Sequence, residues 1–176
     1  SFSKSIYRRV RMKEIILDHQ KIAHTIRRIA FQILETYSDE SEIIIAGIQG
    51  SGALLAGKVA EELNKIDQVS IKVVSVSVEK RNPGSNAPEL NIETSYLNDK
   101  AVVLVDDVLN SGATLMHGCI PFLNAGVKKL KTAVLVNRNH KKFPIKADFK
   151  GISLSTSSFE HIEVVFEKNN DRAFLK

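Results

Sequence analysis

The sequence is poor in cysteine, tryptophan, proline and glycine, with one cysteine, no tryptophan, four prolines and nine glycines in 176 residues. Because Cys119 is alone, an internal disulfide is excluded, which fits a reducing compartment such as the cytoplasm. No apolar run reaches the roughly 18 residues that a membrane-spanning helix needs. Residues 1–13 are basic but lack the apolar core of a secretion signal. We therefore expect a cytoplasmic protein without a membrane segment.

Acidic residues are outnumbered by basic ones, 20 against 25, which gives a formal net charge of +5. Hydrophobic residues make up 43%, so the chain is expected to be globular and to form a single domain over 1–176, with residues 1–14 as a basic N-terminal extension. A basic balance suits an anionic partner, either a phosphorylated small molecule or nucleic acid. A solvated basic surface explains the same charge, so charge does not decide the function.

Short apolar runs alternate with helical patterns along the chain. Asp18 is expected to cap a helix that ends near Thr36. Strands are predicted at 42–46, 70–78, 101–105, 131–137, 148–152, 162–166 and 173–175, and further helices at 53–64 and 112–125. This alternation predicts an α/β fold, with a mainly parallel sheet flanked by helices on both faces.

Four loops are expected to meet at one edge of that sheet. Ligands of parallel sheets bind beyond the carboxyl ends of the strands. Three predicted loops, at 47–52, 106–112 and 138–146, leave strands at those ends. The segment 79–99 has two prolines and no sustained period, and is predicted to be a long loop with room for a brief extended piece. We therefore expect the chemistry to lie in these four loops.

The segment 102–114 carries the strongest functional signal. It runs as an apolar strand, two acids (Asp106 and Asp107) and a small-residue turn at 110–114 that opens a helix. Backbone N–H groups at a helix N-terminus bind anions, the serine and threonine hydroxyls of the turn would add donors, and Gly112 allows close backbone approach. The acids are placed to bind sugar hydroxyls or to face a metal ion. One loop is thus predicted to hold the phosphate and the ribose of a sugar phosphate.

Two simpler interpretations carry less weight. In the first, Asp106 and Asp107 merely cap the following helix, but adjacent acids at the end of a buried strand are costly without partners. The segment 52–59 imitates a nucleotide-binding P-loop, but Val59 stands where a serine or threonine would hold Mg²⁺.

The segment 102–114 resembles the phosphoribosyl pyrophosphate signature of the type I phosphoribosyltransferases. The segments 16–18, 46–52 and 133–151 are similar to one branch, the bifunctional pyrimidine operon attenuation regulators, which also act as uracil phosphoribosyltransferases. The resemblance covers most of residues 15–167. It implies the type I phosphoribosyltransferase fold, with a flexible lid loop at 79–99, and a protein that often forms a homodimer or higher homo-oligomer.

The resemblance also implies roles for individual residues. Asp106 and Asp107 would be the catalytic acids and would hold the ribose hydroxyls. They would contact Mg²⁺ indirectly, through ribose or water. The 5′-phosphate and ribose would also contact Asn110, Ser111, Gly112, Ala113 and Thr114. Pyrophosphate would contact Gln49, Gly50, Ser51, Lys80, Arg81 and Arg138. The base would rest against Val136, Asn137 and Ile145. A non-proline cis peptide is expected within 47–52.

The implied reaction joins phosphoribosyl pyrophosphate to a nucleobase, with uracil as the leading candidate, and releases pyrophosphate. An asparagine at position 110 cannot accept a proton from the base as the aspartate of many purine-salvage relatives does. Two alternatives stay open. One is a nucleotide-sensing RNA-binding regulator with weak or no catalysis, although Ala23 and His24 stand where a basic pair is expected. The other is a purine phosphoribosyltransferase.

Overall fold

The computed structural model describes residues 14–157 and 160–176. Its strands are β1 (Glu14–Leu17), β2 (Glu42–Ile48), β3 (Ser70–Ser77), β4 (Glu89–Leu90), β5 (Ala101–Leu109), β6 (Lys129–Arg138), β7 (Phe149–Leu154), β8 (Ile162–Val165) and β9 (Arg172–Leu175). Its helices are α1 (His19–Thr36), α2 (Ser51–Ile66) and α3 (Ala113–Asn124), with a short 3₁₀ helix at Thr94–Leu97. The predicted basic extension lies almost wholly outside the described residues.

Six strands form the central sheet, in the order β4-β3-β2-β5-β6-β7. Every neighbouring pair is parallel except β3 and β4, which are antiparallel. The predicted α/β fold with a mainly parallel sheet is therefore confirmed. None of the helices in the described ranges is long and apolar enough to cross a bilayer.

The central strands are apolar throughout because both faces of the sheet are covered. On β2, Ile43 and Ile45 belong to a core cluster that includes residues of α1 and α2. Ile44 and Ile48 belong to a second cluster, which includes Phe122 of α3. A strand buried on two faces has no solvent side on which polar residues would alternate.

Helix α1 begins where the sequence predicts. The side chain of Asp18 accepts a hydrogen bond from the Lys21 N–H at 2.9 Å, which satisfies one of the N–H groups that the first helical turn leaves free. Its apolar face packs on β6 and β7, where the Arg28 guanidinium donates to the carbonyl oxygens of Lys150 and Gly151.

A second sheet of three antiparallel strands, in the order β1-β9-β8, was only partly predicted. Short strands were expected near β8 and β9, but β1 was not expected, because four residues before a helix cap carry too little pattern. Leu17, Val164 and Ala173 of this sheet join the same core cluster as α1 and α2.

The predicted loop 79–99 contains a brief extended piece, strand β4. Residues 78–88 have no helix or strand, but β4 pairs with β3, and Asn91 exchanges hydrogen bonds with Ser75 through its N–H and its side chain. Leu97 of the 3₁₀ helix is fully buried. Residues 89–99 therefore belong to the packed fold, and only the first half of the predicted loop 79–99 is irregular.

Candidate active site

The carboxyl ends of β2, β5 and β6 lie side by side because these strands are adjacent and parallel. The turn after β2 touches the end of β5, since a Cβ atom built on Gly52 would lie 3.0 Å from Asp106 Oδ1. The turn after β5 touches the loop after β6, since the Ser111 carbonyl accepts a hydrogen bond from the Lys142 N–H at 2.8 Å. The predicted gathering of these loops is thus present in the structure.

Asp106 and Asp107 lie within β5, which extends to Leu109 rather than ending at Val105 as predicted. Asp106 is 4% exposed, and its Oδ1 accepts a hydrogen bond from the Asp107 N–H at 2.8 Å. Burial, followed by the negative charge of Asp107, raises the pKa of Asp106 to about 8. Asp106 therefore keeps its proton to a higher pH than an exposed carboxyl group does, and a bound cation would favour loss of that proton.

The turn at 110–114 begins helix α3 through Gly112, whose φ is 91°. This left-handed conformation favours glycine, and a Cβ here would lie 2.6 Å from Ile145 Cγ2. A cavity of about 40 Å³ is lined by Asp106, Leu109, Asn110, Ser111, Gly112 and Thr114. The Ala113 N–H donates to Ser111 Oγ at 3.2 Å. The cavity thus sits at a helix N-terminus beside a carboxyl group, an arrangement that suits a sugar phosphate.

The glycine-rich turn after β2 differs from expectation in two respects. No peptide bond in the described residues is cis, so the expected cis peptide is absent and the chain turns through Gly50, whose φ is 97°. The Gln49 N–H donates to the Val76 carbonyl at 2.9 Å, so it is not available to an anion. Ser51 opens helix α2, and its N–H is one of those that a helix leaves free at its start.

Of the two basic residues predicted to reach the site from the lid loop, only Lys80 is seen to do so. Its Nζ lies 3.7 Å from Asp106 Oδ1. The Arg81 side chain is exposed, and its N–H donates to Glu79 Oε1. A cavity of about 510 Å³ lies between Gln49 and the residues that begin and end this loop.

Arg138 does not face the pyrophosphate region as predicted. It is 6% exposed, and four hydrogen bonds tie its guanidinium to other parts of the chain. The acceptors, with their distances, are Asn110 Oδ1 at 2.9 Å, Thr156 Oγ1 at 2.8 Å, the Ser157 carbonyl at 3.1 Å and the Glu160 carbonyl at 2.7 Å. Four of its five N–H donors are therefore occupied. The sequence places this arginine directly after a predicted buried strand. A buried guanidinium group needs hydrogen-bond acceptors, and here its own chain supplies them.

The three residues predicted to bind the base occupy different environments. Val136 is fully buried in the core, so its side chain cannot contact a base. Asn137 is 5% exposed, and its amide donates to Ser153 Oγ. Its Oδ1 is buried without a hydrogen-bond partner among the described residues. Ile145 is half-buried against Gly112, so it lies beside the phosphate turn.

The donor set at the end of β5 fits Mg²⁺ only together with a substrate. In the part of the chain that the structure describes, no three His, Cys, Asp or Glu side chains gather to hold a metal. Mg²⁺ commonly binds one or two carboxylates plus substrate phosphates. Asp106 and Asp107 supply hard oxygen atoms whose mutual repulsion a cation would relieve.

A family model for the phosphoribosyl transferase domain matches residues 12–170. The protein named Bifunctional protein PyrR of Staphylococcus aureus (strain bovine RF122 / ET3-1) is 32% identical over 168 residues, which cover 91% of this chain and 95% of that protein. Its namesake in Staphylococcus epidermidis (strain ATCC 35984) is 31% identical over 170 residues, again 91% and 95% of the two chains.

Solved structures with low sequence identity share the fold. A structure of the hypoxanthine phosphoribosyl transferase of Trypanosoma cruzi has a TM-score of 0.74 at 15% identity and covers 92% of this chain and 90% of that chain. A hypoxanthine-guanine phosphoribosyltransferase of Bacillus anthracis has a TM-score of 0.66 at 19% identity, with 83% and 85% covered.

Proposed function

The chain belongs to the phosphoribosyl transferase domain family, and we propose that it transfers ribose 5-phosphate from phosphoribosyl pyrophosphate to uracil. The products are uridine monophosphate and pyrophosphate. The observation that carries this proposal lies on β5, where the buried Asp106 and the half-buried Asp107 are followed, after two residues, by the turn at 110–114 that opens helix α3.

In the proposed reaction, a ring nitrogen of uracil forms a bond to C1 of the ribose. The bond from C1 to the pyrophosphate oxygen breaks, pyrophosphate leaves with that electron pair, and the proton of the ring nitrogen passes to solvent. Positive charge develops on the ribose, so nearby carboxylates stabilise it and exclusion of water protects it. When bound, Mg²⁺ would neutralise charge on the departing pyrophosphate.

The roles of the protein groups follow from their positions. Asp106 and Asp107 bind the ribose hydroxyls, and the turn at 110–114 binds the 5′-phosphate. Gly50 and Ser51 lie at the start of α2, and the next residue, Gly52, lies beside Asp106. The N–H groups of Gly50 and Ser51 are therefore assigned to pyrophosphate. Lys80 is a cation from the lid loop that already contacts Asp106, and it moves onto pyrophosphate when the substrate enters.

Uracil is favoured over purines by two observations. Residues 15–167 resemble the bifunctional pyrimidine regulators, and two proteins named Bifunctional protein PyrR are 31–32% identical over 91% of the chain. Asn110 stands where a purine enzyme would use a proton acceptor, and an amide cannot accept that proton. The hypoxanthine enzymes, at 15–19% identity, share the fold alone.

Pyrophosphate release is the measurement that tests this proposal. Phosphoribosyl pyrophosphate and Mg²⁺ are incubated with uracil, hypoxanthine, guanine, adenine or xanthine in turn. We expect release with uracil, reduced at least 100-fold in Asp107→Asn because the ribose loses a carboxylate, and unchanged in the exposed control Asp39→Asn. Pyrophosphate release with a purine but not with uracil would refute the uracil assignment. If none of the five bases supports release, the proposed transferase activity is refuted.

A nucleotide-controlled RNA-binding regulator is the second candidate, favoured by the relatives named as bifunctional. Helix α1 exposes Ala23 and His24 in place of a basic pair, and the Arg28 guanidinium is already bound to two carbonyl groups. Few free cations therefore remain on this helix. Binding to pyrimidine leader RNA that persists at physiological salt, and that a nucleotide alters, would support this candidate.

A further inference from the structure

A buried arginine connects the phosphate turn to the segment that follows β7. We propose that Arg138 is a positioning residue, which fixes the Asn110 amide so that its NH₂ group faces the sugar phosphate. This inference rests on the proposed function, because it assigns a ligand to the cavity at the turn. It replaces the pyrophosphate role expected of Arg138 with one that acts through Asn110.

The orientation of the Asn110 amide follows from the chemistry of its partner. A guanidinium group carries donors and no acceptor, so the amide atom that meets Arg138 Nη1 at 2.9 Å is the oxygen. The nitrogen lies in the same plane, on the opposite side of the Cβ–Cγ bond from the oxygen. Asn110 is exposed and lines the cavity at the turn, so Nδ2 presents two N–H donors there. A phosphate oxygen is an acceptor that matches them.

The arginine is itself held from the opposite side. Thr156 Oγ1 and the carbonyl oxygens of Ser157 and Glu160 accept its remaining hydrogen bonds. Because the guanidinium is planar and rigid, bonds on one edge determine where the other edge points. The segment after β7 thereby sets the position of Asn110, which follows β5. An unfixed amide would rotate and present either an acceptor or a donor to the phosphate.

Binding of ribose 5-phosphate, measured by calorimetry, tests this inference without turnover. In Arg138→Met we expect about tenfold weaker binding or more, because the amide loses its fixed orientation. Arg138→Lys keeps the charge but lacks the planar fork, so it is expected to recover little affinity. The matched control is Arg28→Met, which removes another guanidinium bound to carbonyl groups, and its affinity is expected to be unchanged.

Kinetics separate positioning from a general loss of structure. With phosphoribosyl pyrophosphate as the varied substrate, Arg138→Met is expected to raise KM at least tenfold and to lower kcat less. Equal ligand affinity in Arg138→Met and Arg28→Met would overturn the inference. If wild type binds ribose 5-phosphate but turns over no base, the proposed enzyme fails while the positioning role stands.

A second pair of variants leaves the arginine in place, so the inference is tested even if Arg138→Met does not fold. Asn110→Asp keeps the acceptor for Arg138 but removes both N–H donors and adds a negative charge. Asn110→Ala removes the side chain without adding charge. We expect weaker ribose 5-phosphate binding in both variants, and the weakest in Asn110→Asp. Binding by Asn110→Asp as tight as that of wild type would contradict the fixed donor orientation.

Discussion

The surroundings of Asp106 disfavour a negative charge on its carboxyl group. It is buried, and its closest ionisable neighbours are Asp107 and Lys80. Burial and the neighbouring carboxylate raise its pKa from 3.8 to about 8. Between these two values the unfolded chain has lost the proton that the folded protein keeps, so stability falls as the pH rises across this window.

The substitution Asp106→Asn is therefore expected to stabilise the ligand-free protein. Asparagine does not titrate, so the free energy of unfolding should exceed that of wild type by an amount that grows from pH 5. This difference should reach about 1 kcal/mol or more near pH 8 and level off above it. Urea unfolding without Mg²⁺ at pH 5, 7 and 9 measures the gain. Turnover should fall at least 100-fold. A gain that does not depend on pH would contradict the raised pKa.

The sequence identified Asp106 but not its environment. Paired acids after an apolar strand indicate a ligand site, whereas the approach of Lys80 depends on how the lid loop folds. Arg138 shows the same limit. Its partners lie 18 to 28 positions away along the chain, and no periodicity connects them.

At the scale of elements, the turn between β5 and α3 depends on a close contact between Gly112 and Ile145. Gly112 stands at φ 91°, with Ile145 against the position that a side chain would take. The loop after β6 therefore packs directly on the turn. A close backbone approach at Gly112 was predicted from the sequence. The contact with Ile145 was not predicted, because it joins two separate loops.

The substitution Gly112→Ala is expected to lower the free energy of unfolding by about 1–3 kcal/mol, because a left-handed backbone and a clash coincide. Ribose 5-phosphate binding should weaken as well, since the turn must shift. The matched control is Gly57→Ala in α2, where a Cβ meets nothing within 4 Å. The free energy of unfolding of that variant is expected to rise by about 0.5–1 kcal/mol. Equal effects of the two substitutions on unfolding by urea would contradict this account.

The boundaries of the elements show why the central strands could be located from the sequence and β4 and the 3₁₀ helix could not. Strands β2, β5 and β6 are buried on both faces, so continuous apolar runs revealed them. The two-residue strand β4 and the 3₁₀ helix have no such run. They are fixed by contacts with β3 and the core, which lie elsewhere in the sequence.

At the scale of the whole molecule, two sheets share one core. The three-stranded sheet places Leu17, Val164 and Ala173 against the cluster that includes α1 and α2. Strand β9 is its middle strand, paired with β1 on one side and β8 on the other. Loss of β9 would therefore leave both neighbours unpaired and expose part of the common core.

The substitution Ala173→Asp tests this dependence. Ala173 is fully buried, so an aspartate there places a charge without a partner in the core, and we expect a loss of about 3 kcal/mol or more. Arg172→Ala, one position earlier, removes a surface ion pair with Glu167 and should cost less than about 1 kcal/mol. Hydrogen exchange should show faster exchange in both β1 and β8 for Ala173→Asp alone.

The pairing of β1 with β9 has a consequence for the order of folding. It joins Glu14 to Leu175, whereas α2 connects the neighbouring parallel strands β2 and β3 through a short crossover. Closing so long a loop has the larger entropic cost, and contacts between distant residues slow folding. We expect the parallel sheet and its phosphate turn to assemble first and the small sheet to close over them last. A nascent chain would then carry a formed phosphate turn before β1 and β9 have paired.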